Sequence, residues 1–106
     1  MTYRVRVTGP ARKDIKRQTR YIAVERQEPV SAERWREGVI GAITALGEFP
    51  RSHPKVPEGE GLDADVRVLV FLSHRILFGI DDESKTVTVY RVLHGASLSD
   101  GLQLDL

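Results

Sequence analysis

The residues from Val66 to Gly95, VRVLVFLSHRILFGIDDESKTVTVYRVLHG, decide the fold of this chain. They are rich in Val, Ile, Leu and Phe, and the later part alternates threonine with valine. Such residues fit a pleated, half-buried surface, while the polar run Asp81–Lys85 has the composition of a hairpin loop. The short break between the first two segments is Ser73-His74. We therefore predict three consecutive strands, at Val66–Leu72, Arg75–Asp81 and Thr86–Leu93.

The first of these strands carries apolar residues on both of its faces. Val66, Val68 and Val70 share one face, and Leu69 and Phe71 share the other. A strand with one wet face would be polar on that side. We therefore expect one face to meet helices, and the other to meet a partner or the chain's own tail.

A strand and a helix precede this block. Tyr3, Val5 and Val7 alternate with polar residues, which predicts a strand with one buried face. Thr8-Gly9-Pro10 has a hydroxyl that can cap a helix and a proline that the first turn tolerates. We expect this helix to end near Arg26–Glu28, before Pro29. Its expected buried stripe of Ala11, Ile15, Gln18 and Ile22 is thin and is weakened by the polar Gln18, and its opposite face is basic, interrupted by Asp14.

A second helix follows, with Ser31 as the expected cap and Gly47 and Pro50 as its end. Gly38 and Gly41 lower helix propensity, so they suggest close approach to a neighbour, which we expect to be the first helix. The two helices would then form an antiparallel hairpin. The apolar face of the second helix is Ala32, Trp35, Val39, Ile43 and Leu46.

The element order is therefore β-α-α-β-β-β, an α+β fold with a helical hairpin packed on a mostly antiparallel sheet. We expect one domain over residues 1–106. Residues 50–65 form a proline-rich and glycine-rich loop. The tail over 97–106 has three possible states: a short added strand, a cover over exposed sheet, or disorder.

Composition narrows the class of protein. With 41% hydrophobic and 29% charged residues the chain is an ordinary globular domain. It has no cysteine and no apolar run of the roughly 18–20 residues that a membrane span needs, and the stretch MTYRVRVTG has no apolar core of the kind expected in a signal peptide. We expect a cytoplasmic protein that does not contact membranes. The charge is uneven: residues 1–40 hold ten Lys/Arg against five Asp/Glu, and residues 41–106 hold six against ten. The basic half could attract nucleic acid or an acidic protein segment, or it could be a solvated helix face.

The candidate functional residues are positive groups on the predicted sheet: Arg67, Arg75, Arg91 and His94. Pairing of consecutive strands would bring at least two of them together. Strict alternation would place Arg91 with Val87, Val89 and Leu93, and His94 with Tyr90 and Val92. An arginine among apolar residues either awaits an anionic ligand or pairs with a carboxylate such as Asp63, Asp65 or Asp81. The histidines lack metal-ligand spacing and no phosphate-binding loop occurs, so we predict neither a metal nor a cofactor.

Several short motifs, in order, resemble the RelE/ParE superfamily of type II toxin–antitoxin toxins. The resemblance spans residues 3–96, and no single motif in it is specific. The motifs are Thr8-x-Pro10-Ala11-x-x-Asp14-Ile15, Tyr21-Ile22-Ala23, Leu46-x-x-Phe49-Pro50, Val66-Arg67-x-Leu69, His74-Arg75-Ile76-x-Phe78 and Arg91-Val92-Leu93-His94-Gly95.

The resemblance implies a bacterial toxin held inactive in a hetero-oligomer with a cognate, ParD-like antitoxin. Two activities stay open. A ParE-like toxin would inhibit DNA gyrase and cause growth arrest as part of a stress response, and the Val-Leu-His-Gly ending favours this branch. A RelE-like toxin would cleave mRNA on the ribosome, with Arg67, Arg75 and His94 as catalytic candidates. The low net charge of +1 argues against binding ribosomal RNA.

A third reading is a binding module that poisons nothing. In such sequences an arginine often follows the His-Gly pair closely, whereas Ala96 and Ser97 follow it here. Under the toxin readings the candidates for contacting the target are Arg67, Arg75, Arg91 and His94. The candidates for contacting the antitoxin are Lys13, Lys16, Arg17, Arg20, Trp35 and Phe71.

Overall fold

Two helices pack on one face of a four-stranded mixed sheet in the computed structural model, which describes residues 2–56 and 65–95. The predicted order β-α-α-β-β-β and the α+β class are confirmed. A π-helical turn, Tyr21–Glu25, continues the first helix, and a 3-10 turn, Pro50–Ser52, follows the second. The elements are β1 Arg4–Val7, α1 Gly9–Arg20, α2 Pro29–Ala45, β2 Val66–Phe71, β3 His74–Asp81 and β4 Thr86–His94.

The strands lie in the order β1-β4-β3-β2, with β1 parallel to β4 and the other pairs antiparallel. Phe71 pairs with His74, so the turn between β2 and β3 consists of Leu72 and Ser73. The predicted break at Ser73-His74 was wrong by one residue, because Leu72 adopts the left-handed conformation (φ 54°) and closes the turn.

An irregularity in β4 overturns the predicted division of its two faces. The register passes from Leu77–Arg91 to Phe78–Val89, so Tyr90 is an extra residue in β4. One extra residue reverses the alternation beyond it. Val92 consequently joins Val87 and Val89 in the core beneath the helices, whereas Tyr90 and Leu93 face the other side of the sheet.

Gly79 makes room for this irregularity. A Cβ atom there would lie 2.7 Å from the Tyr90 hydroxyl. Such an approach is shorter than any ordinary contact, so the ring of Tyr90 occupies the space that a side chain on β3 would fill. The extra residue in β4 and the glycine in β3 thus form one local arrangement.

The helix ends follow local chemistry. Thr8 caps α1 as expected: its Oγ1 accepts a hydrogen bond from the Ala11 amide at 3.2 Å. The expectation for Ser31 was wrong, because α2 begins earlier, at Pro29. Proline is favoured in a first helical turn since its missing N–H has no partner there anyway. The Glu28 carbonyl then accepts from the Ala32 amide at 2.9 Å.

The main core lies between the helices and the sheet. The predicted apolar face of α2 is buried throughout, and so are Ala11 and Ile15 of α1 and Ile22 of the π-helical turn. Gly38 allows close approach, but to Phe71 of β2, whose Cζ would lie 2.6 Å from an added Cβ, and not to α1 as expected. Gly41 has nothing within 4 Å. The second, smaller cluster on the opposite face is Val56, Val66, Val68 and Leu77 with Tyr90 and Leu93 against it.

The predicted loop 50–65 is partly ordered around β2. The Val56 amide donates to the Val66 carbonyl and the Val68 amide donates to the Pro54 carbonyl, both at 3.0 Å. This pairing lays residues 54–56 along the edge of β2. The remainder of the loop, 57–64, and the tail over 97–106 lie outside the described residues. No helix in the described ranges is long and apolar enough to cross a membrane.

Candidate functional site

A groove of about 1250 Å³ runs between β1 and the two helices. We call it the α1–α2 groove. Its apolar lining comes from Val5 and Val7 on β1, Ile15 on α1, and Ile40 and Ile43 on α2. Ile40 is 39% exposed, although it lies on a helix that is otherwise well packed on the sheet. The groove therefore presents an apolar floor to solvent.

Hydrogen bonds hold the walls of the groove. The Thr8 hydroxyl, which caps α1, also donates to the Tyr90 carbonyl of β4 at 2.9 Å. At the other end, the Tyr3 amide donates to the Gly47 carbonyl at 2.8 Å and Thr2 forms a bridge with Glu48. The start of α1, the start of β1 and the end of α2 are thus fixed to one another. The groove is a preformed feature of the fold.

The rim of the groove is positively charged. Arg12, Lys13 and Lys16 of α1 line it together with Arg36 of α2, while Glu48 is the acidic residue among the lining residues. Within the described residues, no carboxylate lies within ion-pair distance of the three α1 side chains, and Arg36 lies 3.6 Å from Glu33. An apolar floor with this rim suits a segment that is apolar on one face and acidic beside it.

Only some of the predicted antitoxin contacts on α1 line this groove. Lys13 and Lys16 line it, whereas Arg17 and Arg20 do not. Arg17 instead lies 3.8 Å from Asp14. Arg12, which was not predicted from the sequence, lines the groove together with Lys13 and Lys16.

Arg67 holds a loop in place. Its Nη1 donates to the carbonyls of Arg51 and His53, at 3.2 and 2.7 Å, and its Nη2 donates to Asp65 at 3.2 Å. Only 13% of its side chain is exposed. The sequence reasoning allowed a structural pair with Asp65, and that is the arrangement found.

Arg91 pairs with a residue that the sequence reasoning placed on the outside of α1. Its Nε and Nη2 donate to the two oxygens of Asp14, at 2.8 and 3.0 Å, and the Val92 amide donates to the same carboxylate at 2.9 Å. The hydrogen bond to Asp14 raises the pKa of Arg91. Asp14 is buried, so its expected role as an interruption in an exposed basic face was wrong. Its position three residues after Ala11, on the buried stripe, was the signal available in the sequence.

His94 lies opposite a second histidine. His74 and His94 are register partners, with ring centroids 5.3 Å apart, and the ring of His74 also meets Trp35 at 5.1 Å. Burial, and then the neighbouring His94, lower the pKa of His74, while Asp14 opposes the shift. The sequence reasoning did not nominate His74, because a histidine at a strand end is ordinarily structural.

The four positive candidates are not brought together. Leu77, two residues beyond Arg75 in β3, belongs to the cluster on the side of the sheet away from the helices, and alternation places Arg75 on that side. Arg67 faces the loop after α2, Arg91 faces Asp14, and His94 faces His74. No two of the three arginines are register partners. Among the described residues, no group of three or more His, Cys, Asp or Glu side chains could hold a metal ion.

The family comparison decides what kind of protein has this fold and groove. Residues 5–98 match the family model described as the ParE toxin of a type II toxin–antitoxin system, parDE. The chain belongs to this ParE toxin family. It is accordingly a type II toxin of the RelE/ParE superfamily, as the sequence motifs indicated.

Solved structures similar to this ParE-family toxin come from both branches of the superfamily. The toxin–antitoxin complex RelBE2 from Mycobacterium tuberculosis is similar at 26% identity, with 89% of this chain and 99% of that chain covered and a TM-score of 0.64. The chromosomal ParDE system of P. aeruginosa is similar at 14% identity, with 88% and 96% covered and a TM-score of 0.68. A mutant of the E. coli toxin RelE in the free state is similar at 18% identity, with 92% and 88% covered and a TM-score of 0.64. The last two show the fold alone. No curated protein matches the chain significantly in sequence.

Two further antitoxin candidates in this ParE-family toxin belong to the main core or pack against it. Trp35 is 8% exposed and belongs to the main core, so its side chain is not available to a partner. Phe71 is half-buried and packs against Gly38. The exposed apolar residues of the β2–β3 hairpin are instead Val70 and Leu72, at 62% and 73%.

Proposed function

We propose that this toxin inhibits DNA gyrase and is neutralised by a cognate, ParD-like antitoxin in a hetero-oligomer. The observation that carries the proposal is the separation of the four candidate groups. Cleavage of RNA needs a base, an acid and cations gathered around one phosphate. In the described part of the chain, Arg67 and Arg91 form structural pairs with Asp65 and Asp14, and Arg75 lies on the other face of the sheet from His94. This separation supports a toxin that acts by binding its target.

The antitoxin would occupy the α1–α2 groove. At about 1250 Å³ the groove is larger than the roughly 300–1,000 Å³ of a typical small-molecule pocket. An amphipathic helix lays its apolar face into such a groove, and acidic residues beside that face would meet Arg12, Lys13 and Lys16. The similar structures from M. tuberculosis and P. aeruginosa are toxin–antitoxin systems, which supports an antitoxin partner for this chain. A gyrase target also favours a cytoplasmic location.

The alternative activity is ribosome-dependent cleavage of mRNA. It is supported by the 26% identity with the RelBE2 complex, since that is the highest identity among the similar structures described above. Under this alternative His94 would move a proton, and Arg75 would be the arginine left to bind phosphate. A module without toxicity is the third candidate, and it is supported by the absence of an arginine directly after His94-Gly95-Ala96 in the sequence.

His94→Ala separates the two toxic activities. Loss of a general acid or base typically costs 10²–10⁴-fold in rate, so a ribonuclease would lose its toxicity. A gyrase inhibitor needs no proton transfer, and we expect the variant to keep arresting growth and inducing an SOS reporter. Circular dichroism controls for folding, because the ring of His94 packs against His74.

The outcomes exclude one another. A folded His94→Ala that is harmless, beside a wild type that cleaves mRNA on ribosomes, would overturn the gyrase proposal. A wild type that neither arrests growth nor induces the reporter would leave only the non-toxic module.

A further inference from the structure

We propose that Phe49 is the anchor residue by which this toxin holds its antitoxin at one end of the α1–α2 groove. The inference rests on the proposed function, since it requires the antitoxin to occupy that groove. The occupant would place an apolar side chain on the ring of Phe49, in continuation of the apolar face that fills the groove.

Phe49 combines exposure with an unfavourable backbone. Its residue is 72% exposed, and its φ and ψ are both 51°, in the left-handed region. A bulky residue there costs free energy relative to glycine, and such positions persist where the surrounding structure enforces them. Because the ring is exposed, its burial within the chain offsets little of the free-energy cost of the left-handed backbone. The left-handed backbone and the exposed ring add little to the stability of the monomer, so the ring is available to an external contact.

A rigid support holds the backbone of Phe49. Ser52 donates to its carbonyl twice, from the amide at 3.1 Å and from the hydroxyl at 2.8 Å. Pro50, the next residue, is fully buried. Phe49 is therefore presented on an ordered turn, and a partner would pay little to order it further.

Ionic contacts fix that turn to the sheet. Arg51 donates to Asp65 at 3.1 Å and also to Asp82, and Asp82 accepts from the Tyr3 hydroxyl at 2.8 Å. The hydrogen bonds from Tyr3 and Arg51 lower the pKa of Asp82, so the carboxylate stays charged. Arg67 donates to the carbonyls on either side of Ser52, as described above. The support thus joins the 3-10 turn to β1, to β2 and to the β3–β4 hairpin.

The position of Phe49 beside the groove indicates that its partner is the antitoxin segment that occupies the groove. It directly follows Gly47 and Glu48, which line the groove, and the bridge between Thr2 and Glu48 closes the groove beside it. A segment that lies in the groove against Ile40 and Val5 would pass beside Glu48 to reach Phe49 at this end. Aromatic residues are enriched in protein interfaces, and those that a partner buries can carry much of the binding energy.

The test measures binding of the purified antitoxin, encoded beside the toxin, to full-length toxin variants by biolayer interferometry. For Phe49→Ala we expect a dissociation constant raised about 10–30-fold, as for an anchor residue, chiefly through faster dissociation. The matched control is Leu72→Ala. Leu72 is equally exposed at 73% and also left-handed, with φ 54°, but it lies on the β2–β3 turn, whereas Phe49 directly follows the lining residues Gly47 and Glu48. Its affinity should stay within twofold of wild type.

Phe49→Gly shows whether weaker antitoxin binding comes from loss of the ring or from loss of folding. Glycine adopts the left-handed conformation without cost, so this variant should melt at a higher temperature than wild type and still bind the antitoxin weakly. A merely structural role for the ring would not separate stability from affinity in this way.

Three results would count against the inference. Phe49→Ala that binds the antitoxin within twofold of wild type overturns it while the proposed function stands. Phe49→Ala that keeps its antitoxin affinity and loses growth arrest assigns the ring to the target and equally overturns it. A wild type that does not bind the antitoxin at all overturns the proposed function itself.

Discussion

At the scale of single residues, the Asp14–Arg91 pair ties the first helix to the last strand. Only 4% of the Asp14 side chain is exposed, and both of its oxygens accept hydrogen bonds from Arg91, with the Val92 amide as a third donor. A buried carboxylate is tolerated when its hydrogen bonds are satisfied. Arg91 is therefore needed because of Asp14, and its removal would leave a charge in the interior.

We expect Arg91→Ala to lower the free energy of unfolding by about 3 kcal/mol. This is the low end of the cost of breaking a buried pair, because 27% of the Arg91 side chain is exposed. The Asp14→Ala/Arg91→Ala double variant should lose less than the two single variants together, with a coupling of about 0.5–3 kcal/mol. Urea denaturation followed by the fluorescence of the single tryptophan, Trp35, measures all of them. Arg75→Ala is the control, for which we expect about 0.5 kcal/mol or less. Additive single effects would contradict the pairing.

His74 makes stability depend on pH. Burial lowers its pKa below the ordinary 6.5. As the pH falls through 6.5, the unfolded chain binds a proton that the folded chain still resists, so stability is full above 6.5 and declines toward the folded pKa. Asp14, which favours the proton, and His94, which disfavours it, are the charged groups that act on this ring. We expect His74→Phe to flatten the decline between pH 6.5 and 5 in denaturant titrations. An unchanged slope in His74→Phe would assign the effect to other groups.

At the scale of elements, α2 contains two glycines that face different surroundings. An added Cβ at Gly41 would meet nothing within 4 Å, whereas one at Gly38 would lie 2.6 Å from Cζ of Phe71. Helix propensity favours alanine over glycine equally at both positions. Packing against β2 therefore decides the difference between them.

Gly41→Ala should raise the free energy of unfolding by about 0.5–1 kcal/mol, since only propensity acts there. Gly38→Ala should instead be neutral or destabilising, because overpacking typically costs about 1–3 kcal/mol. In a Phe71→Leu background the ring tip is gone, and the effect of Gly38→Ala should improve by about 1 kcal/mol. Thermal melts of the four variants and the wild type measure these differences. Equal stabilisation at both glycines would show that Phe71 moves aside freely.

The strands, the helices and their order could be predicted because hydrophobic periodicity and capping residues act locally. The pairing of Asp14 with Arg91 could not, since the place of Asp14 on the buried stripe indicates burial but does not identify a partner 77 positions away. The extra residue at Tyr90 was hidden for a similar reason: valine, tyrosine and leucine fit either face of a strand. The positions of the candidate site residues depend on this pair and on this extra residue. One unpredicted residue in β4 reversed the faces beyond it, and it placed Val92 and His94 on the helix side of the sheet.

At the scale of the whole molecule, the uneven charge of the sequence concentrates basic side chains along one surface, on α1 and beside the groove. Half of the ten Lys/Arg residues in positions 1–40 belong to α1 or its end, and three of these, Arg12, Lys13 and Lys16, line the groove. Two acidic residues of the second half, Asp65 and Asp82, are bound by Arg51. A net charge of +1 thus conceals a basic rim around an apolar floor. That combination favours an acidic, amphipathic segment over a nucleic acid, which would need no apolar floor.

Charge reversal on α1 tests how much the basic rim of the groove contributes to antitoxin binding. We expect Arg12→Glu/Lys13→Glu/Lys16→Glu to weaken binding of the antitoxin at low salt by a factor of about 10–100, mainly by slowing association. The affinity of the wild type should fall as salt rises, because exposed charges are screened beyond about 10 Å at 0.1 M salt, and that fall should be lost or reversed in the triple variant. Arg17→Glu/Arg20→Glu is the control on the same helix, since neither residue lines the groove. If only the control pair changes the salt dependence, the antitoxin binds beside the groove. If neither set does, the rim is a solvated helix face, and the antitoxin is held by apolar contacts alone.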